Sequence, residues 1–184
     1  MKRLAAVAAA LLITACGYSV AQTGAPSDPY FESTTAIKAG AGLVDSNGSP
    51  VGLATFSENR LGVLVDLKVV SVPKGMHGVA IHAVGKCDRP DFATSGAHFN
   101  PSTAQHGLRN PKGPHAGDLP NLVVGDDGKG SLSYVDPLIS LQTGASNSII
   151  GLSIVVHANA DDEVTDPTGN SGSGIACGLI AKPA

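Results

Sequence analysis

GAHFNPSTAQHGLRNPKGPHAGD, residues 96–118, carries His98, His106, His115 and Asp118 in a run so dense in Gly, Pro and Asn that neither a helix nor an unbroken strand can pass through it. Its conformation must be imposed by something other than backbone hydrogen bonding. Three imidazoles and a carboxylate are the donor set of a four-coordinate, tetrahedral zinc, and glycine lets a chain wind closely about one ion. The segment reads as a zinc loop; the alternative is a surface loop whose histidines are unrelated. A His3Asp set leaves no open coordination position, so an ion held there would be structural rather than hydrolytic.

On either side of this loop the pattern is that of strands. Ile37, Ala39, Ala41 and Leu43 alternate with Lys38, Gly40 and Gly42 and run into the turn residues Asp45-Ser46-Asn47-Gly48. Further strand signals cover Val51 to Ser57, Leu61 to Val72, Gly78 to Ala83, Asn121 to Val124, Ser131 to Val135, Ser148 to His157 and Ile175 to Ala181. Short strands at this density, punctuated by Gly and Pro and without an internal repeat, predict an all-β sandwich or barrel. Composition agrees. The 184 residues are 42% hydrophobic, 15% charged and 4% aromatic with no Trp, so the core must be built from Val, Ile, Leu and Ala. A formal charge of -3, with no basic run beyond Lys2-Arg3, excludes the phosphate-neutralising surface that nucleic-acid binding needs.

The chain opens with Lys2-Arg3, an apolar run from Leu4 to Ile13 and small residues around Thr14-Ala15-Cys16, which is the layout of an export signal and too short to span a bilayer. Ile13-Thr14-Ala15-Cys16 resembles a bacterial lipobox, in which Cys16 becomes the lipid-bearing first residue of a periplasmic or cell-envelope lipoprotein anchored at the membrane surface. Cleavage near Ala21, after Ser19-Val20-Ala21, would instead release a soluble protein. The expected organisation is a leader over residues 1–15, a flexible tether over 16–35 and one domain over 36–184. In an oxidising compartment Cys87 and Cys177 are expected to pair and to enclose the histidine loop, the alternative being two free thiols.

The motifs GMHGVAIH (75–82), GAHFNP (96–101), His106-Gly107, HAGDLPNL (115–122), SIIGLSIVVHANADD (148–162) and GNSGSGIACGLI (169–180) together resemble the copper,zinc superoxide dismutases. The resemblance spans Ala36 to Ala181. It implies an eight-stranded Greek-key β-barrel with long metal-binding loops, a possible homodimer, and superoxide or a copper ion as the small ligand. It makes His98 the ring shared between copper and zinc, His106, His115 and Asp118 the other zinc ligands, and Cys87 with Cys177 the disulfide. Asp161 matches the aspartate that orients a zinc histidine, with His106 as its expected partner.

On the copper side the resemblance implies His82, His98 and His157, three nitrogens where the family has four. The missing ligand falls at Ala80, two residues before His82, because strand side chains at i and i+2 share a face. His77 lies at odd spacing from Ala80 and is expected to face away from His82. The family's substrate-guiding arginine falls at Gly174. The loop leading to it carries Asp161, Asp162, Glu163 and Asp166 without Lys or Arg, the wrong sign for steering an anion, or else a solvated face. Three imidazoles can still hold copper. In the family's cycle the shared ring leaves the reduced ion, so only His82 and His157 would hold it here. These features lead to the expectation of a zinc-stabilised, copper-binding protein whose superoxide dismutation is weak or absent. The alternatives are a functional dismutase with a three-histidine copper site, and a different metal at that site with a bound water acting hydrolytically.

Overall fold

The computed structural model describes residues 37–183; the leader, Cys16 and the tether expected over residues 1–35 lie outside the described residues. Strands form, in chain order, at β1 (Ile37–Asp45), β2 (Pro50–Asn59), β3 (Gly62–Val69), β4 (Gly75–His82), β5 (Asp118–Val124), β6 (Gly130–Asp136), β7 (Ser153–His157) and β8 (Gly174–Leu179). They close in the order β1-β2-β3-β6-β5-β4-β7-β8, each neighbouring pair antiparallel. The steps from β3 to β6 and from β4 to β7 are the Greek-key crossings, so this is the eight-stranded all-β barrel that the sequence led to expect.

Period-two patterning explains the inner face. Val63, Val65, Leu67 and Val69 of β3 are buried while Leu64, Asp66 and Lys68 between them are not. Phe56, Leu67, Ile81, Leu119, Leu122 and Ile154 fill the barrel, each contributing on the order of 1.5–3 kcal/mol through burial. The β1–β2 turn is held by Asp45, whose Oδ1 accepts the N–H groups of Asn47 and Ser49, both at 2.8 Å.

Several boundaries differ from the sequence reading, two of them beside the histidine residues. The strand expected from Ser148 begins only at Ser153, because Gly151 takes φ 87° and turns the chain there. Ile149, which gave that run its strand-like look, is a buried plug of the core. At the other end of the histidine loop, β5 begins at Asp118 itself, so the last candidate ligand is already part of the barrel wall.

β4 and β7 are buried on both faces, unlike β2 and β3. Their inner residues, Val79, Ile81, Ile154 and Val156, belong to the core. Their outer residues include Ala80, His82, Val155 and His157, all buried, on the face opposite the core that the loops cover. Cys87 and Cys177 are disulfide-bonded with Cα atoms 5.7 Å apart across 90 residues of sequence, fixing the first of these loops to β8. Phe92 packs beside that bond with Val155. Closing so long a loop stabilises chiefly by restricting the unfolded chain. Paired replacement of Cys87 and Cys177 by Ser should lower the unfolding free energy by about 3–5 kcal/mol, read from denaturant titration. A loss below 1 kcal/mol would mean the loop is held without the bond.

Candidate metal centre

Asp118, at the first position of β5, gathers the first cluster. Its Oδ1 lies 2.8 Å from His98 Nδ1, 3.0 Å from His106 Nδ1 and 3.3 Å from His115 Nδ1. Bonds of the usual length to a tetrahedral zinc place neighbouring ligand atoms about 3.3 Å apart, so the four groups match that ion with little movement. Its other oxygen, Oδ2, accepts the N–H groups of Gly107 at 2.8 Å and His115 at 2.9 Å, which aims Oδ1 at the cluster. All four residues are buried, and His115 Nδ1 has no hydrogen-bond partner among the described residues. A buried polar atom without a partner is costly and uncommon, and a metal ion would satisfy it. The His3Asp cluster therefore fits zinc.

The second cluster is His82, His98 and His157. Nε2 of His82 and Nε2 of His157 are 3.1 Å apart, and among the described residues His98 Nε2 is the second buried nitrogen without a partner. The opposite nitrogens are committed: His82 Nδ1 donates to the Gly96 carbonyl at 2.7 Å and His157 Nδ1 to the Gly172 carbonyl at 2.9 Å. A carbonyl only accepts, so the proton of each ring sits on Nδ1 and the lone pair of Nε2 faces the cluster. This nitrogen-only donor set suits copper among the first-row metals. His98 belongs to both clusters, offering Nδ1 to one and Nε2 to the other. It is brought there by pairing next to His82, with Phe99 N–H on Ile81 O at 2.8 Å.

Ala80 and His77 contribute nothing to the second cluster. Ala80 is buried at 1% exposure beside Val155 and Asp118, and its methyl group has no donor to offer. His77 lies with Nδ1 2.8 Å from the His157 carbonyl and Nε2 2.8 Å from the Pro73 carbonyl, so both its nitrogens face backbone.

Asp161 Oδ1 lies 2.9 Å from His106 Nε2, the partner expected for it. Gly169, at φ 58°, permits this contact, since a Cβ there would collide with both Asp161 Oδ1 and His106 Nε2. The other acids of the loop each have local work. Asp162 Oδ1 accepts from the N–H groups of Val164 and Thr165, Glu163 pairs with Arg109 at 3.1 Å, and Asp166 Oδ1 accepts the His106 N–H at 2.6 Å. Sequence reasoning found no Lys or Arg within the loop and missed Arg109, which reaches across from the histidine loop. It also missed Gly96, Gly172 and Ser95, whose oxygens contact the second-cluster rings. Of these only Ser95 acts through a side chain, so the carbonyls had no residue-type signal to find.

At Gly174 no side chain reaches the second cluster. A Cβ there would lie 2.9 Å from the Asp91 carbonyl oxygen, 2.9 Å from Val155 Cγ1 and 3.3 Å from Phe92 Cδ2.

Burial sets the ionisation of the metal-free centre, and the carboxylates oppose it. His82 falls from 6.5 to about 3, through burial first and then the neighbouring His98. His157 and His115 also fall, with burial the main cause. Burial acts the same way on His106, but the hydrogen bonds and charges of Asp118 and Asp161 outweigh it and raise that ring to about 10. Asp118 is pushed up by burial, and its bonds to His106, His98 and the Gly107 N–H reverse this and hold it well below the usual carboxylate range.

Residues 51–180 match the family model for copper/zinc superoxide dismutase. Relatives include a copper-zinc superoxide dismutase of Aquifex aeolicus, 39% identical over 78% of this chain and 88% of its own length. Another is the superoxide dismutase-like protein YojM of Bacillus subtilis, 36% identical over 92% of this chain and 93% of its own. The crystal structure of a double mutant of a SOD-like protein from Bacillus subtilis superposes with a TM-score of 0.73 at 40% identity, over 77% of this chain and 96% of that one. The chain belongs to the copper/zinc superoxide dismutase family, whose small ligands are superoxide and metal ions.

Two outcomes follow for zinc. A ligating imidazole must be neutral, so zinc has to displace the proton that His106 holds below about pH 10. Because the folded pKa is raised, the metal-free His106–carboxylate pairing contributes stability in full below about pH 6.5 and loses it as pH rises through about 10. Zinc uptake at pH 7.5 should release about one proton per ion, read by calorimetry in buffers of different ionisation enthalpy. Uptake without proton release would contradict the His106 assignment. Metal-free protein should also melt below the zinc form, since loop 96–118 has few apolar residues of its own; equal melting temperatures would mean that the loop is not held by zinc.

Proposed function

We propose that this chain is an extracytoplasmic, zinc-stabilised copper-binding member of its family in which superoxide dismutation is weak or absent. His98, His106, His115 and Asp118 are the zinc ligands; His82, His98 and His157 are the copper ligands; Asp161 orients His106. The observation that carries the copper reading is the convergence of three Nε2 lone pairs, one of them on a buried nitrogen without any other partner among the described residues. A copper ion there would supply one-electron chemistry, accepting an electron from superoxide as Cu(II) and returning one as Cu(I).

Two features of the chain argue against fast turnover. Ala80 removes a fourth nitrogen, so His82, His98 and His157 alone would hold a copper ion. At Gly174 no cation stands beside the site to hold an anion. The acids of the neighbouring loop are largely engaged with backbone N–H groups, His106 and Arg109, which tempers their repulsion without adding a binding group for superoxide. Relatives named as dismutases and as dismutase-like proteins are similar to this chain at 39% and 36% identity, so likeness alone does not choose between the two.

Export is supported by Lys2-Arg3, the apolar run Leu4 to Ile13 and Cys16, and by a disulfide of the kind that persists outside the cytoplasm. On this reading Cys16 carries a lipid that tethers the barrel to the cell envelope.

Metal content and superoxide consumption measured on one copper- and zinc-loaded sample test the functional reading. The expected result is one zinc and one copper per chain with slow consumption, and a gain in both copper retention and rate in Ala80→His. Rapid, chelator-sensitive consumption by the unaltered chain would establish the competing reading, a working dismutase with three copper histidines. Zinc without copper would remove the copper assignment and leave the structural metal alone.

A further inference from the structure

One buried hydroxyl beside the second cluster remains unexplained by the fold. Ser95 closes the 3-10 turn Ala93–Ser95 and is 2% exposed. Its N–H donates to the Phe92 carbonyl at 2.9 Å and its carbonyl accepts the Val84 N–H at 2.9 Å, so its backbone is engaged in both directions. Among the described residues its Oγ has one hydrogen-bond partner, His82 Nδ1, at 3.0 Å.

That nitrogen already serves the Gly96 carbonyl at 2.7 Å. Since the carbonyl cannot donate, Nδ1 must carry the proton, and Ser95 Oγ can only share in accepting it. The result is a three-centre hydrogen bond from one imidazole N–H to two oxygens of adjacent residues. His157 differs: among the described residues the Gly172 carbonyl alone accepts from its Nδ1.

Two oxygens on one N–H have two effects on the ring. They bracket it, so that turning the ring over would lose both acceptors together and leave them facing carbon. They also draw the proton outward, which increases the electron density that the ring offers at Nε2. In a cluster with three nitrogens, the quality of each remaining donor weighs more than it would among four.

We propose that Ser95 is a positioning residue for the copper side of the centre, holding the His82 ring and strengthening the lone pair of its Nε2. The proposal rests on the reading that His82, His98 and His157 hold copper. An alanine would fill most of the same volume, so the hydroxyl is the part of Ser95 that matters.

Ser95→Ala and Ser95→Thr, made in the full chain, test this in two ways. In copper-free, zinc-loaded protein, ring nitrogen NMR should show the His82 Nδ1–H resonance displaced in Ser95→Ala and the His157 resonance unmoved. In competition with a chromophoric chelator, copper binding by Ser95→Ala should weaken about tenfold, with the Cu(II) electron paramagnetic resonance spectrum altered and the zinc content unchanged. Ser95→Thr, which keeps the hydroxyl, should bring the resonance, affinity and spectrum back toward those of the unaltered chain. Unmoved His82 resonances and unchanged copper affinity in Ser95→Ala would overturn the proposal alone. Joint loss of zinc, copper and melting temperature would assign Ser95 a structural role and overturn it as well. An unaltered chain that takes up no copper would overturn the copper reading, and the proposal with it.

Discussion

The Asp118 carboxylate is the point on which the metal-binding half of the structure depends. One oxygen gathers three imidazole nitrogens and the other holds two backbone N–H groups, one from each side of the loop that the ligands define. Because Asp118 is also the first residue of β5, this carboxylate transfers the rigidity of the barrel to a segment with almost no secondary structure. The loop has little apolar area to bury and much backbone to order, so turn hydrogen bonds such as Gln105 N–H to the Lys112 carbonyl are joined by charge and coordination in fixing its shape.

From that point order spreads through hydrogen bonds. His106 is gripped at three places: Asp118 on Nδ1, Asp161 on Nε2 and Asp166 on its backbone N–H. The last two belong to the acidic loop, which returns along the barrel to present the Gly172 carbonyl to His157. On the opposite side the disulfide holds the segment that presents Ser95 and Gly96 to His82. The His82 and His157 rings are thus aimed by different covering segments, whereas His98 is aimed by Asp118 of the barrel wall. For His82 and His157 the barrel supplies the position of the ligand and a loop its orientation.

The two clusters were not equally legible in the sequence. The zinc set could be read from donor chemistry alone, because four ligands fall in one stretch that has no other means of holding its shape. His82 and His157 stand on separate strands 75 residues apart, and only the order of motifs shared with a family joined them. An all-β sandwich or barrel was legible from period-two patterning and the resemblance chose the barrel, while Ser148 to Leu152 imitated a strand because Ile149 is apolar for a different reason, the plugging of the core. The acidic loop was read as a field of the wrong sign or a solvated face. Its carboxylates are mostly spent on N–H groups and Arg109, and no pattern of residue types announces a carboxylate bound to backbone.

Gly174 bears on how such a chain changes over generations. With no side chain at this position, the Asp91 carbonyl and the Val155 methyl lie where a Cβ would make contacts of 2.9 Å. Placing a side chain at such a site requires neighbours on two other segments to move as well. Variation toward anion capture would therefore find more accessible routes elsewhere on the rim than through position 174.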